Sequence, residues 1–206
     1  MRWRRGAPGW PVVLTSGSAP VVRVRPLRSS DARAWAEVRA RNAAWLIPWD
    51  ATPPPGSPPR GASFVELARR MRRQARRGTT LPFAIEVDGV FAGQVTVNNV
   101  VRGSAQFASI GYWIDRNVAG RGVMPRSVAM VIDHCFREVG LHRIEIAVRP
   151  ENSNSLRVVE KLGITEVGYA RRFLHIDGDW RDHRIFAVTK EEVPLGMLRR
   201  FEEGGL

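Results

Sequence analysis

The chain has 206 residues, 44% of them hydrophobic, and a formal net charge of +12 from 32 Lys and Arg against 20 Asp and Glu. That length and apolar share fit one domain with a substantial core; no apolar run approaches the roughly 20 residues of a membrane-spanning helix, and the basic start "MRWRRGAPGWPVVL" is too short and too broken by Pro and Gly for a signal peptide. A single cysteine, Cys135, at an apolar helical position, excludes an intramolecular disulfide and a multi-cysteine zinc site.

The expected setting is therefore cytoplasmic, with no metal, no membrane partner and no specific DNA. The positive charge would attract polyanions. Only Lys161 and Lys190 are lysines, however, so arginine replaces lysine almost everywhere, which points more to the codon bias of a GC-rich genome than to a dedicated binding surface.

Residues 1–20 mix Gly, Pro, Ser and Arg without a period and read as a flexible extension, ahead of a domain over 21–192 and a C-terminal tail over 193–206. Val21 to Arg28 alternates as a strand. A helix follows, with Ser30 or Asp31 as its N-cap and Trp35, Val38, Ala43 and Leu46 as its apolar positions. Six prolines between Pro48 and Gly61 make that segment an extended loop. From Ala62 to Arg77 a helix buries Phe64, Leu67, Ala68, Met71 and Ala75 and leaves Arg69, Arg70, Arg72, Arg73, Arg76 and Arg77 on a solvated face. Two β-rich runs then flank Asp88-Gly89, a strong hairpin signal, and Ser104 to Asp115 completes an antiparallel meander. A helix over Met124–Val139 stops at Gly140. The strand His142–Val148, a short helix ending at Gly163 and two strands around Asp177-Gly178 complete the order, and no internal repeat is found.

The chemistry concentrates at "NVAGRGVM", Asn117 to Met124, between a strand and a helix. Glycines there leave backbone N–H groups of a helix start unobstructed toward an anion, and a pyrophosphate would suit them. The dinucleotide fingerprint needs a third glycine where Pro125 stands, and the P-loop needs Gly-Lys-Ser/Thr where this chain has Gly-Val-Met. Taken alone, a glycine pair serves a turn as well as a phosphate.

With its surroundings the loop resembles a family. The spacing Asn117-x-x-Gly120-x-Gly122 is similar to the R/Q-x-x-G-x-G/A loop of GNAT acyl-CoA N-acetyltransferases, with Asn117 in place of Arg or Gln. "RPENSNSLRVVEKLGI" resembles their second block, with Asn152, Ser155, Lys161, Leu162 and Gly163 in place and Ile164 where Phe is usual. "SIGYWID", "HRIEIAVRPENSNS", "LHIDGDWRDHRIFAVT" and "RNAAWLIPWDATPPP" are similar to segments of the RimJ/RimL type, in particular actinobacterial RimJ-like proteins, over about residues 20–192.

The resemblance implies an α/β (α+β) fold: a mixed, mostly antiparallel sheet, splayed between its fourth and fifth strands and flanked by helices. It implies acetyl-CoA as co-substrate, its pyrophosphate on the backbone of Asn117, Val118, Ala119, Gly120, Arg121, Gly122, Val123 and Met124. Its pantetheine would extend the fourth strand at Ile110, Tyr112, Trp113 and Ile114 and bond the amide of Asn152, with Ser155 near the thioester sulfur and Arg157 reaching a phosphate. The acceptor would be a protein N-terminal amine, ribosomal, with ribosome association; a small amine, a protein lysine, or a non-catalytic RNA- or ribosome-associated role are the alternatives. Trp45, Trp49, His175, Trp180 and Arg181 belong to substrate-side segments.

The family's usual base and acid are absent, since Ser109 and Val159 stand at those positions. Glu145 is the nearest alternative base by location, with Glu86 and Asp115 behind it. Ser155 is the expected proton donor, and Tyr112 a possible contact to substrate or cofactor.

Overall fold

A computed structural model describes residues 7–17, 19–57 and 63–204. Among them eight strands form one sheet: β1 (Leu14–Thr15), β2 (Val22–Pro26), β3 (Leu81–Val87), β4 (Val90–Val101), β5 (Phe107–Ile114), β6 (Arg143–Val148), β7 (Thr165–Ile176) and β8 (Asp179–Thr189). Their order is β1-β2-β3-β4-β5-β6-β8-β7. Every neighbouring pair is antiparallel except β5 and β6, which run parallel and pair only at Phe107–Arg143, Ala108–Ile144 and Ser109–Glu145. Beyond Ser109 the two strands separate, so the splay expected between the fourth and fifth strands is present, here between β5 and β6.

Helices α1 (Ala32–Arg41), α2 (Ala43–Leu46) and α3 (Phe64–Arg77) lie on one face, and α4 (Val123–His134), α5 (Ser153–Lys161) and α6 (Met197–Glu202) on the other. The larger core joins the sheet to α4, ten of whose twelve residues are buried, as the nearly unbroken apolar run demands. Past His134 the helix continues as one π-helical turn, Cys135–Val139, and ends at Gly140 with φ +75°. A smaller core of Leu27, Val38, Ala84 and Phe91 sits under α1 and α3 with Trp35, Phe64, Met71 and Trp113.

Asp31 precedes α1 but makes no side-chain cap to it. Its carboxylate instead accepts from Arg28 N–H at 2.8 Å and pairs with the buried Arg25 guanidinium at 2.8 Å. The Asp88-Gly89 and Asp177-Gly178 turns form where expected.

The described residues at both chain ends pack against the domain. Residues 1–6 and 18 lie outside the described residues. Within 7–17, Trp10 packs edge-on against Phe83, Gly9 carbonyl meets His134 Nε2 at 2.8 Å, and Leu14–Thr15 pairs with β2. At the other end, Met197 is fully buried against α4, and Asp133 accepts from Met197 N–H at 2.6 Å and Leu198 N–H at 3.1 Å, capping α6. The expected prolyl loop is described to Ser57; 58–61 and Ala62 lie outside.

Candidate active site

The glycine loop is held from beneath by Asp115. This carboxylate accepts from Arg41, from Asn42 Nδ2 at 2.8 Å and from Asn117 N–H at 3.2 Å. Burial pushes its pKa up, but these donors outweigh that and hold it below the ordinary aspartate value. Asp115 is thus a buried anchor tying α1 to the loop, unavailable as a base. Gly120 and Gly122 adopt φ +78° and +74°, left-handed conformations that L residues occupy at a steric cost.

The amides of Gly120, Arg121, Gly122, Val123 and Met124 donate to no group among the described residues, and the first intrahelical bond is Arg126 N–H to Gly122 C=O. A Cβ at Gly120 would meet nothing within 4 Å. Five consecutive unpartnered amides at the start of a twelve-residue helix, four of them from residues that line the cleft, form an anion cradle that fits a pyrophosphate. Exposed Arg157 and Lys161, one turn apart on α5, line the same cleft.

The cleft has a volume of about 810 Å³ and runs from this cradle along β4 and β5 to the underside of α1 and α3. It is lined by Tyr112, Trp113, Ile114, Ala119, Gly120, Gly122, Val123, Met124, Asn152, Ser155 and Arg157, and at its far end by Trp45 and Trp49. A second cavity of about 200 Å³ fills the splay and meets Ile110, Tyr112, Ile146, Val148, Asn152 and Ser155. Asn117, Val118 and Arg121 line neither cavity: Asn117 and Arg121 are exposed and Val118 packs against the core.

At the splay, Asn152 caps α5: its Oδ1 accepts from Ser155 N–H at 3.0 Å, which leaves its amide nitrogen for a ligand. With Asn152 as the cap, Ser155 Oγ has no hydrogen bond among the described residues. Tyr112 O–H donates to Ser155 C=O at 3.4 Å, and burial of the hydroxyl pushes its pKa well up, so it stays protonated across the physiological range.

Glu145 lies in the paired part of β5–β6, opposite Ser109; it is bonded to Arg143 Nε at 2.7 Å and lines neither cavity. Glu86 is held at 2.6 Å by Arg25 Nε. Among the lining residues of the main cleft the sole carboxylate is Asp50. It is paired with Arg39, whose guanidinium lies over both Trp35, at 5.6 Å, and Trp113, at 5.4 Å. The sequence offered no signal for this group, because its members come from α1, the prolyl loop and β5.

The substrate-side segments meet. Thr52 Oγ1 lies 2.8 Å from His175 Nδ1 and accepts from Gly178 N–H, Thr52 N–H donates to His175 C=O, and Asp177 N–H donates to Asp50 C=O. Arg149 stacks on Trp49 at 5.2 Å and donates to Pro48 C=O at 2.9 Å. Trp45 Nε1 donates to Ile114 C=O at 3.2 Å. His175, Trp180 and Arg181 line neither cavity; they form the hairpin end against which the lining residues Trp49 to Thr52 rest, with Trp180 edge-on to His175 and Arg181 paired with Asp179. The floor is a polar row on β4, Gln94, Thr96 and Asn98, opposite Gly111, whose missing side chain leaves the row open to the cleft.

Residues 22–165 match the acetyltransferase (GNAT) domain family. The [ribosomal protein uS5]-alanine N-acetyltransferase of Escherichia coli is 30% identical over 178 residues, 84% of this chain and 90% of that protein. YjcK of Bacillus subtilis is 42% identical over 105 residues, 51% of this chain and 58% of YjcK, so the likeness spans little more than half of that protein's length. Among solved structures, Mycobacterium smegmatis RimJ in complex with CoA-disulfide superposes with a TM-score of 0.88 at 41% identity, covering 96% of each chain. With this match, the splayed sheet and the open amide cradle, the chain belongs to the GNAT family: it is an N-acetyltransferase that uses acetyl-CoA.

Proposed function

We propose that this enzyme acetylates the N-terminal α-amine of a protein, a ribosomal protein foremost, by direct attack within a ternary complex. The observation that carries the proposal is the acceptor half of the cleft: tryptophans, a neutral polar row, and one carboxylate already paired with a guanidinium. A carboxylate whose charge is already matched by a guanidinium is a weak attractor for a polycation. An α-amine, with an ordinary pKa near 7.7–8.0, is partly neutral without help, whereas a lysine near 10.4 needs a base. The relatives named as ribosomal-protein alanine N-acetyltransferases support the same acceptor class.

Acetyl-CoA, when bound, supplies the acetyl thioester. The chain's own residues do the rest. The amides of Gly120 to Met124, with Arg157, hold the phosphates, and the unpaired side of β5 at Ile110–Ile114 and the amide of Asn152 hold the arm. Ser155 Oγ, free of internal bonds, holds the proton for the sulfur end of the site. Tyr112, its hydroxyl already donated to Ser155 C=O, positions the start of α5 through that bond.

The test is an acetylation screen that offers peptides beginning with Ala, Ser or Thr beside lysine peptides blocked at the N-terminus and aminoglycosides. Turnover is expected on the free N-termini. Turnover of the lysine or aminoglycoside set alone would overturn the acceptor assignment.

A further inference from the structure

Outside the cleft, the strongest unexplained feature is the outer face of α3. Arg69, Arg70, Arg72, Arg73, Arg76 and Arg77 are all exposed, and none takes part in an ion pair or side-chain hydrogen bond among the described residues. At 100° per residue they occupy an arc of about 160°. Arg69 and Arg72, Arg70 and Arg73, and Arg73 and Arg76 stand three apart; Arg69 and Arg73, Arg72 and Arg76, and Arg73 and Arg77 stand four apart. Like charges at those spacings repel and weaken a helix.

A GC-rich composition explains arginine in place of lysine; it does not explain unmatched arginines gathered on one helix. Two other helices match an exposed arginine with a glutamate four positions on, Arg33 with Glu37 and Arg199 with Glu203, and no other helix among the described residues gathers six arginines on one face. The helix holds one acidic residue, Glu66, and it neutralises none of the six.

We propose that this face of α3 docks the sugar–phosphate backbone of RNA. The row Arg69, Arg73, Arg77 advances about 6 Å per step along the axis, a repeating set of planar cationic forks suited to a repeating anion, and guanidinium groups engage phosphate oxygens bidentately. A protein contact centres on a desolvated anchor, an aromatic or apolar side chain or an Arg in a packed pocket, and here the arginines are all solvent-exposed with no apolar side chain among them. Met71 and Ala75, the apolar residues between Arg69 and Arg77, turn into the core. Leu67 and Met71 of the same helix line the cleft, so RNA on the outer face would lie about one helix diameter, 10–12 Å, from the acceptor site. On the function proposed above, such docking holds the enzyme beside an acceptor protein that is itself bound to RNA; RNA binding by the face does not depend on that function.

The test measures fluorescence anisotropy of a labelled, unstructured single-stranded RNA of about 20 nucleotides, titrated with the full chain at several salt concentrations. The wild type is compared with the triple variant Arg69→Gln/Arg73→Gln/Arg77→Gln and with a charge-matched control, Arg33→Gln/Arg171→Gln/Arg172→Gln. The α3 variant is expected to bind at least tenfold more weakly, with a log–log salt slope smaller by about 2, since each single-strand phosphate contact contributes about 0.7. The control should change by less than about threefold, and both variants should keep the wild-type thermal stabilisation by acetyl-CoA, which shows an intact fold. Equal losses in the two variants, no loss in either, or displacement of the RNA by polyglutamate of equal charge at equal concentration would overturn the proposal, the last by making the face a site for acidic protein.

Discussion

At Gly122 two separate penalties meet: the +74° φ strains any L side chain, and a carboxylate there, on a Cβ 3.7 Å from the Phe201 ring, would add negative charge to the loop that carries the anion cradle. Gly122→Asp should weaken acetyl-CoA binding by at least tenfold, measured by calorimetry, whereas Gly120→Ala, whose Cβ meets nothing within 4 Å, should pay only the roughly 1–2 kcal/mol of left-handed strain in stability. Equal affinity in Gly122→Asp and wild type would reduce the loop to a turn. Ser155→Ala should lower kcat by about 10²-fold, the lower range for general acid catalysis, with little change in the KM for acetyl-CoA. An unchanged kcat would remove Ser155 from the proton path. Cys135 is buried, with its thiol pushed up to about 12, so native protein should resist thiol reagents and react only on unfolding. Asn152 and Ser155 were named through the resemblance of their block to the family's, and the structure puts them in contact at the start of one helix. The pairing of Arg39 with Asp50 over the Trp35 and Trp113 rings was not legible, because a guanidinium lying over two rings and held by a distant carboxylate leaves no pattern along the chain.

Long periodic elements were readable for a physical reason: α4 and the β3–β4 hairpin carry their instructions within one stretch of sequence. The short α6 does not. Six residues cannot display a helical period, and what fixes α6 is Asp133 on α4, 64 residues before Met197. Met197→Ala should therefore destabilise the enzyme by about 2–5 kcal/mol in urea unfolding, the range for a buried large-to-small change. A change under about 0.5 kcal/mol would return the segment to a loose tail. The N-terminal strand β1 escaped notice similarly, since two residues hold no alternation and their partner strand supplies the register.

Across the molecule, stability should depend on pH and on cofactor. Burial lowers the pKa of His134 and of His183, so both remain neutral in the fold at pH values where the unfolded chain has begun to take up protons, near 6.5. The unfolded state then binds more protons, and stability present above about pH 6.5 is lost as pH falls toward the folded-state values. The urea midpoint should drop between pH 7.5 and 5.5, and less so in His134→Gln; a flat profile would show both rings solvated. Saturating acetyl-CoA should raise the melting temperature, by about 2.7 kcal/mol of stabilisation at one hundred times its Kd, because it binds only the folded chain.

The clasp between Thr52 and His175 bears on how this enzyme can be altered. Two segments 123 positions apart share one set of hydrogen bonds, among them the Thr52 amide to His175 carbonyl and the Gly178 amide to Thr52 Oγ1. Replacing the prolyl loop alone with that of a relative would strand the hairpin's donors and acceptors, and replacing the hairpin alone would do the same to the loop. Acceptor preference should therefore move between relatives only when both segments are exchanged as a matched pair, which makes them one unit of inheritance despite their distance in the chain.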